Sequence, residues 1–179
     1  AGKPSLTRGP TNTSPGTTSL ANYYRDASYN ALTLDGAIHD WVTMPGLAAN
    51  YGNDGISGVD MYTVSPTDTL TLADLVQDAA DVIGGDTAWA SAIHWADYCS
   101  SANLIDYFVV VHAGRGQEAG GGSLGDNAIW STTGSLDAPY PLGRTGYYVQ
   151  DFIIVAEDAP VGVLAHELAH LFGLPDTWN

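Results

Sequence analysis

The segment from Asp158 to Asp176 constrains this chain most, because its spacing is compatible with a helix followed by a turn and with little else. Apolar residues recur there at helical intervals, and a glycine and a proline follow them. We expect a helix that Asp158 caps, with Pro160 in its first turn, and that Gly173 and Pro175 terminate. Its apolar stripe consists of Val161, Leu164, Leu168 and Phe172.

Two histidines stand four residues apart on this helix, in the sequence HELAH at positions 166–170. Four residues advance a helix by about 6 Å and rotate it only about 40° past a full turn, so both imidazoles project from one face. Two nitrogens on one face are able to bind one zinc ion, and Glu167 lies beside them without coordinating it. The pattern predicts His166 and His170 as metal ligands and Glu167 as the catalytic base.

The residues after the second histidine extend the pattern to HExxHxxGxxD. Gly173 is able to adopt a left-handed backbone conformation, which would turn the chain sharply and bring Asp176 back under the metal. The pattern matches the metzincin type, with aspartate in place of the usual third histidine. We therefore expect Asp176 to be the third zinc ligand; a carboxylate that only caps the loop is the alternative.

Composition narrows the class of protein. The chain has 179 residues, enough for one domain with a hydrophobic core. Its formal net charge of −15 leaves no cationic surface for phosphates or anionic lipids, and no apolar run reaches the roughly 18 residues that a transmembrane helix needs. We expect neither nucleic-acid binding nor membrane insertion. The single Cys99 excludes a disulfide within the chain.

The remaining patterns predict an α+β fold. Residues 1–18 are rich in Pro, Thr, Ser and Gly, and we expect them to form an extended lead-in. A helix is predicted at about Thr71–Ile83, with a capping box at Thr71-x-x-Asp74 and a stop at Gly84-Gly85. The order of elements implies a mixed sheet with helices packed against it. The other predicted segments are a hairpin or bent strand pair over Tyr29–Met44, a loop over 45–60, a strand buried on both faces at Leu104–His112, a short strand at Ala128–Thr133 and a longer strand at Tyr147–Ala156.

The chain resembles the immune inhibitor A family of secreted bacterial metallopeptidases in its ending HELAHLFGLPD and in four further stretches. These stretches follow one another in the family's order across most of residues 19–178. The resemblance implies a zinc-dependent endopeptidase with a zincin catalytic domain, exported from the cell, usually made as a precursor and often stabilised by calcium. The stretches are SLANYYRDASY (19–29), GAIHDW (36–41) continuing to NYG (50–52), VVVHAGRGQEAGGG (109–122) and DNAIW (126–130).

By this resemblance, residues 19–179 are the N-terminal, upper part of a zincin catalytic domain: a mixed twisted sheet with a backing helix and the HExxH active-site helix. In zincins a lower subdomain follows the zinc motif, and we expect it to be absent from this chain and supplied by a complementary chain; an isolated fragment is the alternative. Zincins pair an extended peptide with the edge strand of the sheet. Substrate binding is therefore expected at Asn127, Ala128, Ile129 and Trp130, with a core position as the alternative for Trp130.

Calcium is implied as a structural ion by the same resemblance. The Asp-rich stretch that often precedes the VHAG strand in the family is replaced here by Ala90–Ser101, in which Asp97 is the one acidic residue. Asn53, Asp54 and Asp60 form a second oxygen-rich loop, although an ordinary Asx turn also explains them.

Together the patterns predict a secreted zinc endopeptidase that cleaves proteins or peptides by Glu-assisted attack of a zinc-bound water, with Glu167 later donating the proton to the leaving amine. One alternative is a metal-stabilised extracellular binding or adhesion module with structural zinc or calcium; another is a zinc hydrolase that acts on a non-peptide bond. Structural zinc usually has four protein ligands and three are visible, which favours catalysis. His39, His94 and His112 lack ligand-spaced partners and are interpreted as structural histidines.

Overall fold

The computed structural model of the chain describes residues 19–54, 70–101 and 103–176. The chain divides into two compact units. The first comprises the residues up to Trp41 together with those from Ala159 onwards, and the second is Val42–Asp158. No helix within the described ranges is long and apolar enough to span a membrane. The helices are α1 (Leu20–Ala27), α2 (Ala48–Tyr51), α3 (Leu72–Gly85), α4 (Thr87–Ala92) and α5 (Val161–Leu171), and the strands are β1 (Phe108–His112), β2 (Thr132–Pro141) and β3 (Tyr148–Ala156). The expected lead-in at 1–18 lies outside the described residues.

The sheet belongs to the second unit and is mixed, with the strand order β1-β3-β2. β1 runs parallel to β3 and places Phe108 opposite Phe152, whereas β2 runs antiparallel to β3 and places Thr132 opposite Ile154. Four consecutive residues of β3, from Phe152 to Val155, are at most 2% exposed, as expected of a central strand covered on both faces. The predicted α+β class, mixed sheet and strand at Tyr147–Ala156 are confirmed.

α3 is the helix that packs on this sheet. The Thr71 side chain accepts a hydrogen bond from the Asp74 backbone N–H, and the Asp74 carboxylate accepts one from the Thr71 N–H at 2.7 Å, which confirms the predicted capping box. Gly84 and Gly85 lie inside the last turn, so the helix runs slightly further than predicted. The core cluster that α3 shares with β3 includes Leu72, Leu75, Val76 and Ala80 from the helix and Val149, Phe152 and Ile154 from the strand.

The predicted hairpin over Tyr29–Met44 is wrong, because no strand is assigned there. From Leu32 to Met44 half-buried residues alternate with exposed ones almost without a break, but no strand is assigned to them among the described residues. At the expected turn, the Gly36 N–H donates to the side chain of Asp35, at 2.8 Å, rather than across a pair of strands. The predicted loop over 45–60 also contains the short helix α2, and its residues 55–60 lie outside the described ranges.

Two other strand predictions are partly wrong. β1 begins only at Phe108 and is mostly half-buried, because it lies at an edge of the sheet rather than at its centre. The strand predicted at Ala128–Thr133 begins at Thr132 and continues to Pro141, with a register shift between Ser135 and Tyr140. Its glycine and prolines indicate loop in the sequence, but an edge strand tolerates proline because one row of its N–H groups has no ladder partner.

The end of α3 approaches the β2–β3 turn closely at Gly84 but not at Gly85. Substituting each glycine by alanine therefore tests this packing. A Cβ on Gly84 would lie 2.3 Å from the Leu142 carbonyl oxygen, whereas a Cβ on Gly85 would meet nothing within 4 Å. Gly84→Ala should therefore lower the free energy of unfolding by about 1–3 kcal/mol, and Gly85→Ala should leave it unchanged or raise it by up to about 1 kcal/mol. Urea unfolding of both variants measures the difference, and equal effects would contradict the packing described here.

Candidate metal centre

The HExxH sequence lies on α5, in the first unit of the chain. Pro160 is the N-cap, its backbone is extended with ψ 152°, and no side chain caps the helix. The prediction that Asp158 caps α5 is therefore wrong. The helix starts two residues too late for the Asp158 carboxylate to accept hydrogen bonds from the amides of the first turn. The side chain of Pro160 has no acceptor for these amides, so it contributes to the helix start only through its fixed φ angle.

The end of α5 is a Schellman turn centred on Gly173, as the glycine at that position predicts. Gly173 has φ 82°, a left-handed conformation that an L residue adopts only with strain. The Gly173 N–H donates to the His170 carbonyl at 2.8 Å, and the Leu174 N–H donates to the Ala169 carbonyl at 3.1 Å. These two bonds reverse the chain immediately after the second histidine.

The same turn orients the second imidazole. Nδ1 of His170 lies 2.8 Å from the carbonyl oxygen of Leu174. A carbonyl only accepts hydrogen bonds, so Nδ1 must be the donor, and the Nε2 lone pair of a neutral ring is left to bind a metal. Sequence reasoning misses this role of Leu174, although a glycine three residues after the second histidine is the signal that could have revealed it.

Three side chains converge beyond this turn. Nε2 of His166 lies 3.1 Å from Nε2 of His170, and Oδ1 of Asp176 lies 3.3 Å from the first nitrogen and 3.6 Å from the second. The two rings meet edge to face, with centroids 4.6 Å apart. Among the described residues, these three form the one group of His, Cys, Asp and Glu side chains whose ligand atoms lie close enough together to hold a metal ion.

The donor set and its spacing fit zinc. Two ligand atoms bound tetrahedrally to one zinc ion at about 2.0–2.1 Å are separated by about 3.3–3.4 Å. The three observed separations, 3.1, 3.3 and 3.6 Å, bracket this value. Two imidazole nitrogens and one carboxylate oxygen also leave one tetrahedral position open, which is the arrangement of catalytic rather than structural zinc.

Glu167 lies next to this group and is buried, with 8% of its surface exposed. Its Oε1 is 4.0 Å from Nε2 of His166, so the carboxylate is near the donor atoms without being one of the three. A carboxylate with little exposure beside an open coordination position is placed to exchange protons with a molecule bound there.

The predicted substrate segment, Asn127–Trp130, lies in the second unit; it begins with the last residue of a 3₁₀ turn and ends shortly before β2. Ala128 and Ile129 are buried, whereas Trp130 is 48% exposed and is therefore not a core residue. The Gln117 N–H donates to the Ile129 carbonyl at 3.1 Å, so part of the segment's main chain is already paired.

Two loop residues make hydrogen bonds to this segment and to Ser131 just after it, and sequence reasoning does not predict this role for Gln117. Besides its backbone bond to Ile129, Gln117 donates through its side-chain amide to the carboxylate of Asp54. The Glu118 carboxylate accepts from the N–H and the hydroxyl of Ser131, at 3.2 and 2.6 Å. The signal in the sequence is a pair of long polar side chains inside a glycine-rich loop.

His112 is the buried histidine of the second unit, at the end of β1. Its Nδ1 lies 3.1 Å from the Ala113 carbonyl oxygen, but its buried Nε2 has no hydrogen-bond partner among the described residues. Burial lowers the pKa of His112, and this effect outweighs the opposing attraction of the Glu118, Asp158 and Glu157 carboxylates.

The interpretation of His94 as a hydrogen-bonded histidine is confirmed, since its Nδ1 lies 2.7 Å from Asp97.

Comparison with known proteins places this chain in a family. Residues 8–179 match the family described as "Immune inhibitor A peptidase M6, catalytic domain". A protein named "Immune inhibitor A" from Bacillus thuringiensis subsp. alesti is 38% identical over 175 residues, covering 88% of this chain and 25% of that protein. "Pre-pro-metalloprotease PrtV" from Vibrio cholerae serotype O1 is 30% identical over 181 residues, covering 90% of this chain and 19% of that protein. The chain thus spans a quarter or less of the length of these relatives.

The neutral state of His112 predicts a pH-dependent stability. Because its pKa is lowered in the folded protein, the unfolded chain binds more protons below its ordinary pKa of about 6.5, and stability falls as the pH decreases through that value. One such group contributes at most about 1.4 kcal/mol per pH unit to this slope. His112→Leu should make the unfolding free energy of chelator-treated protein less pH-dependent between about pH 7 and pH 5; an unchanged slope would contradict this assignment.

The Schellman turn predicts that Gly173 matters more for metal affinity than Gly162, the glycine within α5. Gly173→Ala should cost about 1–2 kcal/mol of backbone strain and displace both the Leu174 carbonyl and Asp176, weakening zinc binding by about 10-fold or more. Gly162→Ala, where a Cβ meets nothing within 4 Å, is the matched control and should retain the wild-type zinc affinity. Chelator-competition titrations measure both, and equal affinities would contradict the role of the turn.

Proposed function

The chain belongs to the immune inhibitor A family of M6 peptidases, and from that premise we propose that it carries the catalytic zinc site of an endopeptidase. The observation that carries the proposal is the convergence of His166, His170 and Asp176 at 3.1–3.6 Å beside the buried Glu167. In this proposal the first three residues hold zinc and the fourth moves the proton. The open coordination position distinguishes this assignment from a purely structural metal.

A zinc ion bound there would supply Lewis acidity, because it would lower the pKa of a coordinated water to about 7 and polarise a carbonyl group. The chain's own residues supply the rest. The Glu167 carboxylate accepts a proton from the attacking water and returns it to the nitrogen of the leaving amine, so that water and one peptide bond are consumed and a carboxylate and an amine are formed. His170, held by the Leu174 carbonyl, keeps its orientation throughout.

Several finer features remain predictions. We propose proteins or peptides as substrates, because the similar proteins are named as a peptidase family and as a metalloprotease. Alignment of the peptide by Asn127, Ala128, Ile129 and Trp130, a complementary chain for the lower subdomain, secretion, and structural calcium stay predictions of the resemblance.

The Glu167→Gln variant tests the proposed mechanism. It should bind one zinc ion per protein as the wild type does, but its hydrolysis of a quenched-fluorescence peptide library should fall by about 10²–10⁴-fold, because the amide cannot accept the proton. Glu157→Gln makes the same chemical change at a half-buried position in the second unit, where the carboxylate accepts a hydrogen bond from the Gly114 N–H, and should retain hydrolysis.

The outcomes separate the candidate functions. Hydrolysis that survives in Glu167→Gln would overturn the role of this residue. A wild-type protein that binds zinc tightly and cleaves no peptide would instead support the alternative of a binding module with a structural metal. Zinc removal by a chelator should abolish cleavage, and added zinc should restore it.

A further inference from the structure

We propose that Tyr24, on helix α1, is a positioning residue of the metal centre: it fixes the backbone on both sides of the two histidines without touching a donor atom. The inference rests on the proposed function and deepens it. It also gives a physical role to the stretch 19–29, which supports the family resemblance but contributes none of the three candidate ligands.

The first contact is a hydrogen bond immediately before the first histidine. The hydroxyl of Tyr24 donates to the carbonyl oxygen of Ala165 at 2.5 Å, in a buried environment, and Ala165 directly precedes His166. Burial is the main cause that raises the pKa of Tyr24 to about 12, and the neighbouring Tyr23 adds to it, so the hydroxyl keeps its proton at physiological pH. The hydroxyl therefore remains a hydrogen-bond donor under the conditions in which the centre would bind metal.

The second contact lies just after the second histidine. The ring of Tyr24 meets the ring of Phe172 edge to face, with centroids 5.4 Å apart. Phe172 is the C-cap of α5, and its own N–H bonds to the Ala169 and Leu168 carbonyls at 3.1 and 3.3 Å. The next residue is Gly173, whose turn places the Leu174 carbonyl on His170 and leads to Asp176.

Helix geometry explains why these two contacts position the ligands. Ala165 and Phe172 are seven residues apart, about two turns, and therefore lie on one face of the helix. His166 and His170 lie roughly 110–150° around the axis from that face, so Tyr24 leaves the metal-binding face open. The contacts at Ala165 and Phe172 lie about two turns apart on one face, so together they fix the rotation of α5 about its axis and its position along that axis. The rotation and the axial position of α5 determine where the Nε2 atoms of the two histidines lie.

α1, the helix that carries Tyr24, is stabilised by a cap at its start. The side chain of Ser19 caps the helix by accepting a hydrogen bond from the Asn22 N–H at 3.2 Å. Tyr24 is 8% exposed, whereas Tyr23, its neighbour on the same helix, is 44% exposed. The two tyrosines therefore carry the same side chain, one in a buried and one in an exposed position of the same helix.

The test compares Tyr24→Phe with Tyr23→Phe. Both substitutions remove one hydroxyl and keep the ring, so the second is a matched control. Zinc affinity is measured by chelator competition, and ligand geometry by the visible absorption bands of the Co²⁺-substituted protein, at a temperature well below the unfolding transition. Tyr24→Phe should weaken zinc binding by about 10-fold and shift the Co²⁺ bands, because supporting residues around metal ligands typically contribute 10–100-fold to affinity. Tyr23→Phe should match the wild type.

A second variant addresses the aromatic contact independently. Phe172→Leu keeps the hydrogen bond of Tyr24 and removes the ring edge, and it should also weaken zinc binding and shift the Co²⁺ bands. A Tyr24→Phe protein that unfolds at a lower temperature but shows wild-type zinc affinity and Co²⁺ bands would overturn the inference, since Tyr24 would then only stabilise the fold. A wild type that binds zinc but hydrolyses no peptide refutes the proposed function alone, and one that binds no zinc refutes both.

Discussion

The hydrogen bond between Nδ1 of His170 and the Leu174 carbonyl is the interaction on which the candidate centre depends. It exists because Gly173 adopts a left-handed conformation that brings the chain back under the last turn of α5. The same reversal carries Asp176 to within 3.3 and 3.6 Å of the two imidazoles. A single backbone angle therefore determines the tautomer of one ligand and the position of another, and the rest of the centre follows from helix periodicity.

The parts of this molecule that the sequence predicts well are those with local causes. The convergence of His166, His170 and Asp176 follows from a four-residue spacing and one glycine, both of which act within a few residues. The capping box at Thr71 is equally local, because its two hydrogen bonds join residues three apart. In each case the pattern constrains geometry directly, without reference to the rest of the chain.

The failed predictions concern pairing and placement, which depend on distant residues. The alternation between Leu32 and Met44 correctly indicates that one side of the segment is covered, but nothing in it states whether a partner strand exists. The apolar run of β1 resembles a central strand, yet β3 takes the centre and leaves β1 at the edge. Tyr24 is a further case, because its hydrogen bond to Ala165 joins residues 141 positions apart and no local spacing reveals it.

The prolines of β2 affect how the protein behaves at high concentration. Pro139 and Pro141 are exposed on an edge strand and offer no N–H, and the register shift between Ser135 and Tyr140 bends the ladder beside them. An incoming strand from another molecule would lack donors at these positions and would meet an irregular backbone. The C-terminal half of β2 thus opposes intermolecular strand addition, the first step of amyloid-like polymerisation. It does so through the two prolines and the irregular backbone, because neither position carries a charged residue.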